Sequence, residues 1–413
     1  MTHSAPPLQR PGYKYVIMLG SMVALGAVST DLYLPNLPDV QTDLGSTAAA
    51  AQFTITAMLI GNSIGQLVIG PLSDRFGRRR PALVGVALHI VVSGLCAIAP
   101  AMLPLIVFRG CQGFFNASAA VVAMAVIRDR FVGRDAARLI ARLMLIIGVA
   151  PLLAPTVGGY IADWVSWRGV FGALALYGVL LFFAILAKLP ESLPAKRRQK
   201  SMRATWQGYA VLLRDRRFLA LAFLPGMVSC VLMSYIVGSP YVFKQAHGMS
   251  VTQFGLLFAI NGLGLVAGAQ VSAALLRRFT PATVLRVAVP LTAILTGWFL
   301  VVAATGLGGL PLTLVSMFAI CLVLNVGPPN ASTLALGRHG ERAGTAAACL
   351  GFLQSGTAGL VAPLVGLLGG TAPAMGTVMF GASALALAIA LVGTPLFRRG
   401  GAADLDRAST HTP

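Results

Sequence analysis

The chain has 413 residues, of which 57% are hydrophobic and only 10% are charged, and its formal net charge is +19. A soluble protein of this length would carry roughly a quarter charged residues, so the composition excludes an ordinary soluble domain. Because the apolar excess extends along the whole chain, the sequence predicts a protein that crosses the membrane many times.

Twelve continuous apolar runs are the predicted elements, each near the about 20 residues that a membrane-spanning helix needs. Continuous rather than alternating apolar residues favour helices over a β-barrel. We therefore expect an all-α membrane protein with twelve transmembrane helices in two pseudo-symmetric six-helix halves. The predicted spans are Tyr15–Leu34, Ala51–Leu72, Pro81–Ala99, Leu105–Ile127, Leu139–Ala162, Gly169–Leu189, Phe218–Phe243, Thr252–Leu276, Thr283–Ala304, Leu310–Leu336, Gly344–Leu368 and Met375–Phe397.

The longest polar link divides the predicted spans into two sets of six. It gives a tail at 1–14, a first bundle at 15–189, a linker at 190–217, a second bundle at 218–397 and a tail at 398–413. The triplet Asn116-Ala117-Ser118 is echoed by Asn330-Ala331-Ser332. This repeat supports two related halves with a site between them near the midplane.

The basic residues indicate topology rather than nucleic-acid binding. All but three of the 31 Lys and Arg residues lie in the tails, in every second loop, or at the adjoining span ends. The exceptions are Arg109, Arg168 and Lys244. This positive-inside pattern predicts that both termini are cytoplasmic, that the protein contacts anionic lipid and that it has no nucleic-acid partner.

Two ionisable residues inside predicted spans, Asp31 and Arg109, are candidates for proton coupling. A charge in hydrocarbon costs about 2.5–3.5 kcal/mol on insertion scales, so such residues normally face a bundle interior or a watery cavity. At about 1.5 Å per residue the two groups lie at a similar depth, which suggests an ion pair. Asp31 would then be the protonation switch for which a substrate competes. The alternatives are a fixed structural ion pair and a cap for the helix end near Pro35.

A charged turn between the second and third spans is predicted to form a cytoplasmic gate. Asp74 could accept hydrogen bonds from Arg78 or from a helix N-terminus near Gly344 in the other half. A turn that only sets topology is the alternative, because its arginines alone satisfy the positive-inside rule. The predicted gate residues are Gly70, Asp74, Arg75, Gly77, Arg78 and, from the end of the fourth span, Asp129.

Glycines and prolines are concentrated in the fifth predicted span, at Gly148, Pro151, Pro155, Gly158 and Gly159. The glycines permit close helix approach, and the prolines remove backbone donors and bend the helix. A kinked, closely packed helix suits the seam between halves that move, although ordinary small-residue packing would use the same residues.

Polar residues in or near the other spans are candidates for a substrate cavity, although each could instead make only an interhelical hydrogen bond. These candidates are Tyr33, Gln112, Asn116, Tyr235, Asn261 and Gln354. Methionines could add a soft, adaptable wall, namely Met58, Met124, Met227 and Met233. His89, in the middle of the third span, is expected to be a packing residue outside the mechanism.

Four of these motifs resemble one known family. The turn Gly70-Pro71-Leu72-Ser73-Asp74-Arg75-Phe76-Gly77-Arg78-Arg79 resembles the loop 2–3 signature of the major facilitator superfamily. Arg109-Gly110-Cys111-Gln112-Gly113 is similar to its fourth-span motif, and residues 148–159 resemble the fifth-span antiporter motif, with Ala154 where Gly is usual. The stretch Asp31-Leu32-Tyr33-Leu34-Pro35-Asn36-Leu37-Pro38 closely resembles the bicyclomycin-resistance (Bcr/CflA) branch.

The resemblance implies a multidrug efflux antiporter of the bacterial inner membrane that exchanges small amphipathic drugs for protons by alternating access. In drug/proton antiporters the arginine that Arg109 matches is implicated in proton coupling. The close alternative is a proton-coupled exporter of one metabolite, such as an amino acid or siderophore. The fifth-span motif disfavours an uptake symporter, and the gating motifs disfavour a receptor or structural protein.

A membrane-embedded enzyme is disfavoured, because the spans lack a convergent set of nucleophiles, bases or metal ligands. The five cysteines lie in apolar runs without Cys-x-x-Cys spacing, so we expect buried, reduced packing residues. The expected partners are small-molecule drugs or metabolites, protons and membrane lipid. We expect no cofactor, no metal site and a monomer.

Overall fold

The computed structural model describes residues 13–131, 153–194, 203–339, 343–398 and 401–410, together with single positions at 139, 142, 143, 196 and 198. Within these ranges the chain is almost wholly helical and contains no strand. Eleven helical segments there are long and apolar enough to cross a membrane. They match eleven of the twelve predicted spans, while the fifth lies partly outside the described residues. The predicted all-α membrane fold is confirmed.

The described residues of the first half form seven helices and one tight turn. Its first helix ends at Asp31, because Pro35 lacks the N–H that would bond the Asp31 carbonyl. A 3₁₀ turn, Leu34–Asn36, follows. The helices are α1 (Tyr13–Asp31), α2 (Leu37–Asp43), α3 (Ala48–Phe76), α4 (Arg79–Ala97), α5 (Met102–Arg130), α6 (residues 153–165) and α7 (Trp167–Lys188).

The described residues from 203 onwards form ten helices, of which α8 lies in the predicted linker and α17 in the predicted C-terminal tail. The tenth predicted span is broken at Asn325, because Pro328 and Pro329 cannot donate to carbonyls one turn earlier. The helices are α8 (Arg203–Arg214), α9 (Arg216–Ser239, continued by a π-helical turn Pro240–Gln245), α10 (Val251–Leu275), α11 (Pro281–Thr305), α12 (Gly309–Leu324), α13 (Gly327–Gly337), α14 (Ala343–Val361), α15 (Leu364–Leu367), α16 (Ala372–Gly393) and α17 (Gly401–Thr410).

Glycines bring α3 and α5 into direct backbone contact. A Cβ atom on Gly61 would overlap the Gly110 carbonyl, and one on Gly113 would overlap the Met58 carbonyl. Such close approach is typical of helix pairs in membranes, where small residues replace the hydrophobic driving force. The two helices therefore form a rigid wall on the first-half side of the centre of the protein.

The bundle has two chemically different ends. We call one the basic face, since it carries arginines at the ends of α3, α5, α9, α10 and α13, namely Arg75, Arg128, Arg216, Arg278 and Arg338. The opposite end, the far face, carries α2, the start of α7 and the turn Pro240–Gln245.

Four of the five free cysteines are buried, as expected, but Cys111 differs because its position on α5 faces outwards.

Candidate functional site

A cavity of about 730 Å³ lies between the two halves. Its volume falls in the range of pockets that hold drug-sized ligands. It extends from Asp31 towards the basic face, where Gly70, Arg128 and Leu336 line it. Helices α1, α3 and α5 supply one side, and α9, α13 and α14 supply the other. Both halves therefore contribute to one central site.

The cavity wall is mostly apolar. Three of the four predicted methionines, Met58, Met124 and Met233, line it, whereas Met227 lies in a separate small gap between α9, α11 and α13. The remaining apolar lining comes mainly from Val23, Ala27, Leu59, Ala120, Val121, Leu232, Ile236, Ala347 and Ala348. Flexible thioethers in an apolar wall can adapt to ligands of different shape.

Asp31 is the only carboxylate among the residues that line this cavity. Asp31 is buried, with only 6% of its surface exposed. Its side chain makes no hydrogen bond and no ion pair with any part of the chain that the structure describes. A buried carboxylate without a partner is costly, so a proton or a ligand donor that reached it would relieve that cost.

Arg109 is fully buried at the same depth, but it does not pair with Asp31. Its Nη1 donates to the Ser29 carbonyl at 3.2 Å and to Gln112 Oε1 at 2.6 Å. Its guanidinium lies over the rings of Tyr33 and Phe171, 4.7 Å and 5.6 Å from their centroids. The predicted direct ion pair is absent because the aromatic rings and the last-turn carbonyl of α1, the negative end of a helix dipole, hold the guanidinium instead.

A buried polar chain continues from Arg109 into α4. Gln112 Nε2 donates to Ser93 Oγ at 2.7 Å, and Ser93 Oγ lies 3.4 Å from His89 Nε2. Asn116 lies near the His89 ring, makes no hydrogen bond of normal geometry, and lines the cavity. His89 therefore belongs to a buried polar chain that runs from Arg109 through Gln112 and Ser93 and ends beside Asn116.

Five of the six predicted cavity residues lie elsewhere. Gln112 joins the chain above, and Tyr33 accepts a hydrogen bond from Thr54 Oγ1 at 3.1 Å beneath the Arg109 guanidinium. Tyr235 accepts from Asn261 Nδ2 at 2.8 Å within the second half, and Gln354 is exposed on α14. The polar residues that do line the cavity with Asp31 and Asn116 are Thr30, Asn62, Gln66 and Arg128.

At the basic face, Arg78 joins the predicted gate residues. Its guanidinium donates to Asp74 at 2.6 Å, to Ser73 at 2.7 Å and to Asp129 at 2.8 Å. Burial alone would lower the pKa of Arg78, but the hydrogen bonds to Asp129 and Asp74 outweigh it and raise that pKa. All these contacts lie within the first half, and within the described residues Asp74 makes no hydrogen bond to α14.

The other gate residues surround this cluster. Gly70 lines the cavity mouth, and the Arg75 guanidinium lies over the Phe76 ring at 5.3 Å. Gly77 has φ +89°, and a Cβ there would overlap the Glu191 carboxylate, so this position requires glycine.

Glu191, which the sequence reasoning missed, closes the basic-face cluster from the linker. Its carboxylate accepts from the backbone N–H of Arg78 at 2.8 Å, of Arg79 at 3.3 Å and of Leu193 at 3.0 Å. Burial opposes ionisation, but these donors and the Arg198 charge hold the pKa of Glu191 below its ordinary value. An acid directly after Pro190, one of only two acids in the basic linker, was the available signal.

The far face is closed by contacts between the halves. Lys244 Nζ lies 3.3 Å from Asp39 Oδ2, and the Gly366 N–H donates to Gln52 Oε1 at 2.7 Å. Tyr160 and Thr252 share a hydrogen bond of 2.9 Å. The cavity is therefore closed at the far face, and its lining extends towards the basic face.

Helix α6 takes part in this closure. A Cβ on Gly158 would overlap the Leu32 carbonyl, and one on Gly159 would meet Val251 Cγ1 at 2.6 Å. Asn36 Nδ2 donates to the Gly158 carbonyl at 3.3 Å, and Pro155 is buried in the same helix. Two further predicted motif residues, Gly148 and Pro151, lie outside the described residues.

Comparison with known proteins agrees with this architecture. The sequence profile of the Major Facilitator Superfamily matches residues 17–363. This chain belongs to the major facilitator superfamily. The family predicted from the motifs is thus confirmed, and the protein is a multi-pass membrane transporter rather than an enzyme.

Relatives of this transporter include proteins named for drug resistance. The uncharacterized MFS-type transporter YdgK of Bacillus subtilis is 34% identical over 88% of this chain and 91% of its own. A bicyclomycin resistance protein homolog of Haemophilus influenzae is 26% identical over 86% and 90%. The multidrug resistance protein MdtL of Klebsiella pneumoniae is 28% identical over 92% and 96%.

Solved structures of more distant transporters share the fold. A D-xylose–proton symporter matches with a TM-score of 0.70 at 17% identity, covering 91% of this chain and 97% of its own. The nucleoside transporter NupG matches with a TM-score of 0.73 at 12% identity, covering 93% and 100%. At these identities the likeness concerns the fold alone.

Proposed function

We propose that this transporter exports small amphipathic drugs in exchange for protons. The observation that carries the proposal is Asp31, a carboxylate without a described partner in a largely apolar cavity. Such a cavity suits apolar ligands of varied shape, and the carboxylate can hold either a proton or a polar ligand group. Relatives named for bicyclomycin and multidrug resistance support the same function.

The exchange follows from competition at one carboxylate. With the basic face towards the cytoplasm, as the positive-inside rule predicts, the cavity faces the cytoplasm and takes up drug there. A drug that places a cation or hydrogen-bond donor at Asp31 displaces the proton. The loaded cavity then opens at the far face, where the drug leaves and a proton binds Asp31. Both termini would lie in the cytoplasm, and a monomer encloses the whole site.

The gate cluster would stabilise the outward-open state. When the basic face closes, Asp74 would accept hydrogen bonds from the N-terminus of α14, as predicted from the sequence. Arg78 holds Asp74 and Asp129 in place for that contact. On this proposal, Asp74→Asn or Arg78→Ala lowers transport without lowering the amount of protein in the membrane.

A proton-coupled metabolite exporter is the second candidate. Arg128 at the cavity mouth and the amides of Asn62, Gln66 and Asn116 would suit a ligand with a carboxylate or several hydrogen-bonding groups. This arrangement favours a polar metabolite over a purely apolar drug. The two candidates share the role of Asp31 and differ in ligand range.

Proton release from the purified protein in detergent tests the proposal. We expect amphipathic cationic drugs to release protons from the wild type, and we expect Asp31→Asn to abolish this release. Release that persists in Asp31→Asn would place the proton site elsewhere. Release by amino acids or siderophores, but by no drug, would favour the metabolite exporter.

A further inference from the structure

A second cavity lies on the outside of the first half, between α1 and α7. Its volume is about 420 Å³. Its wall is largely apolar, with Ile17, Leu180, Leu181 and Ala184 among the lining residues. Ile17 and Leu180 are 56% and 63% exposed, so the groove opens on the surface that faces lipid.

Two lysines lie at one end of this groove. Lys14 is in the first turn of α1, and Lys188 is the last residue of α7, so both are at the basic face. Both are exposed, and neither forms an ion pair with an acid in the described part of the chain. Tyr13, 70% exposed beside Lys14, is a residue type enriched at membrane interfaces.

The opposite end of the groove is closed by a hydrogen bond between the two helices. Tyr177 Oη donates to the Ser21 carbonyl at 2.9 Å. At 1.5 Å per residue, this closure lies about 10 Å along α1 from Lys14 and about 16 Å along α7 from Lys188. The groove is therefore a short apolar channel with positive charge only at its interfacial end.

We propose that this groove binds one anionic phospholipid. The phosphate of the headgroup lies between Lys14 and Lys188, and the first part of an acyl chain lies against Ile17, Leu180 and Ala184. Charge complementarity argues for this ligand, because the two lysines have no counter-ion among the described residues and would attract an anionic headgroup. The apolar wall would be left uncovered by a free anion, whereas an acyl chain would cover it. A bound lipid would join α7 to α1, the helix that ends in Asp31.

The test uses the full-length protein, delipidated in detergent and titrated with phosphatidylglycerol or phosphatidylcholine of identical chains, with bound lipids counted by native mass spectrometry. We expect one phosphatidylglycerol to bind more tightly than phosphatidylcholine. The double variant Lys14→Gln, Lys188→Gln should lose about 30-fold in affinity for it, since each lysine contributes about fivefold near an anionic headgroup.

Two comparisons make the result specific. The double variant Arg277→Gln, Arg278→Gln removes the same amount of positive charge from the basic face, but away from the groove. It should bind phosphatidylglycerol with wild-type affinity. Ala184→Trp fills the groove but retains both lysines, and it should also lose the tight site. If the arginine variant loses as much as the lysine variant, or Ala184→Trp loses nothing, the proposed site is wrong.

Soluble glycerol 3-phosphate separates a lipid site from a simple phosphate site. At millimolar concentration we expect it to leave bound phosphatidylglycerol in place, because it lacks the acyl chain that the groove holds. Displacement of the lipid by this compound would overturn the proposal. This test is independent of drug export, since it measures lipid binding without transport.

Discussion

Asp31 and Arg109 lie at the same depth in the bundle without touching. Arg109 donates to the Ser29 carbonyl, two residues before Asp31, and stacks on aromatic rings, while Asp31 faces the cavity. Protonation of Asp31 therefore does not require an ion pair to break first. On the proposed mechanism, the Asp31 carboxylate is available to a proton or a ligand whenever the cavity is open, and access to the cavity would set the order of events.

The ring of Tyr33 should contribute more to stability than its hydroxyl. Tyr33→Leu removes the cation–π contact with Arg109 and should destabilise the protein by about 1–3 kcal/mol, since this buried guanidinium has no carboxylate partner among the described residues. Tyr33→Phe keeps the ring and loses only the hydrogen bond from Thr54. In thermal unfolding in detergent, the melting temperature of Tyr33→Phe should be close to that of the wild type, and that of Tyr33→Leu should be well below it. Equal losses would show that the hydroxyl, not the ring, matters.

Composition and motifs predicted much of this arrangement, for identifiable physical reasons. Apolar runs locate spans because hydrocarbon forces the backbone into helices, and the rarity of buried acids singled out Asp31. Helix rise also placed Arg109 correctly in depth. Side-chain direction was not predictable: Gln112 and Asn116 are one helical turn apart, yet only Asn116 lines the cavity. Which face a residue presents depends on packing, which a hydrophobic run does not encode.

Two other features could not be predicted from the sequence. Glu191 reaches the basic-face cluster around Arg78 because the linker folds back against the turn before α4, and this return depends on tertiary contacts. Tyr235 and Asn261 are polar residues in spans, as a cavity lining would be, but they bond to each other. A polar residue in a membrane helix predicts that a partner exists, not that the partner is a substrate.

Gly158 should tolerate no side chain, because α6 lies directly against α1 there. The Cβ of Gly158→Ala would overlap the Leu32 carbonyl and force the helices apart. Overpacking of this kind costs about 1–3 kcal/mol, and we expect transport to fall with the loss of far-face closure. Gly172→Ala in α7 is the matched control, since no atom lies within 4 Å of its Cβ position. A Gly158→Ala protein with wild-type stability and transport would contradict this contact.

The Glu191 carboxylate should make stability depend on pH in acid. Its pKa in the folded protein lies below the ordinary 4.5, so the ionised group contributes stability that is fully present above pH 4.5. This contribution declines as the pH falls below 4.5 and is gone once the pH passes the lower folded-state pKa. The difference in melting temperature between wild type and Glu191→Gln should therefore be constant near neutrality and shrink in acid.

A matched variant isolates this effect from general acid denaturation. Asp163→Asn removes an exposed carboxylate that has no ion pair within the described residues. Its melting curve should follow that of the wild type at every pH. A gap between wild type and Glu191→Gln that stays constant down to pH 3 would mean that the backbone donors do not depend on the carboxylate charge.

The pair of Lys244 and Asp39 should affect whether the far face is closed or open more than it affects overall stability. Asp39 is largely exposed, so the pair contributes at most about 1 kcal/mol, and Lys244→Gln should change the melting temperature little.

Lys244→Glu, in contrast, places two like charges across the contact between the halves and should favour the state that is open at the far face. We expect transport to fall in Lys244→Glu and to recover in the double variant Asp39→Lys, Lys244→Glu. Recovery identifies an electrostatic contact between the halves, because the swapped pair restores the attraction with the two charges exchanged. If the double variant transports no better than Lys244→Glu, the contribution of Lys244 lies instead in its bond to the Pro35 carbonyl, which the swap does not restore.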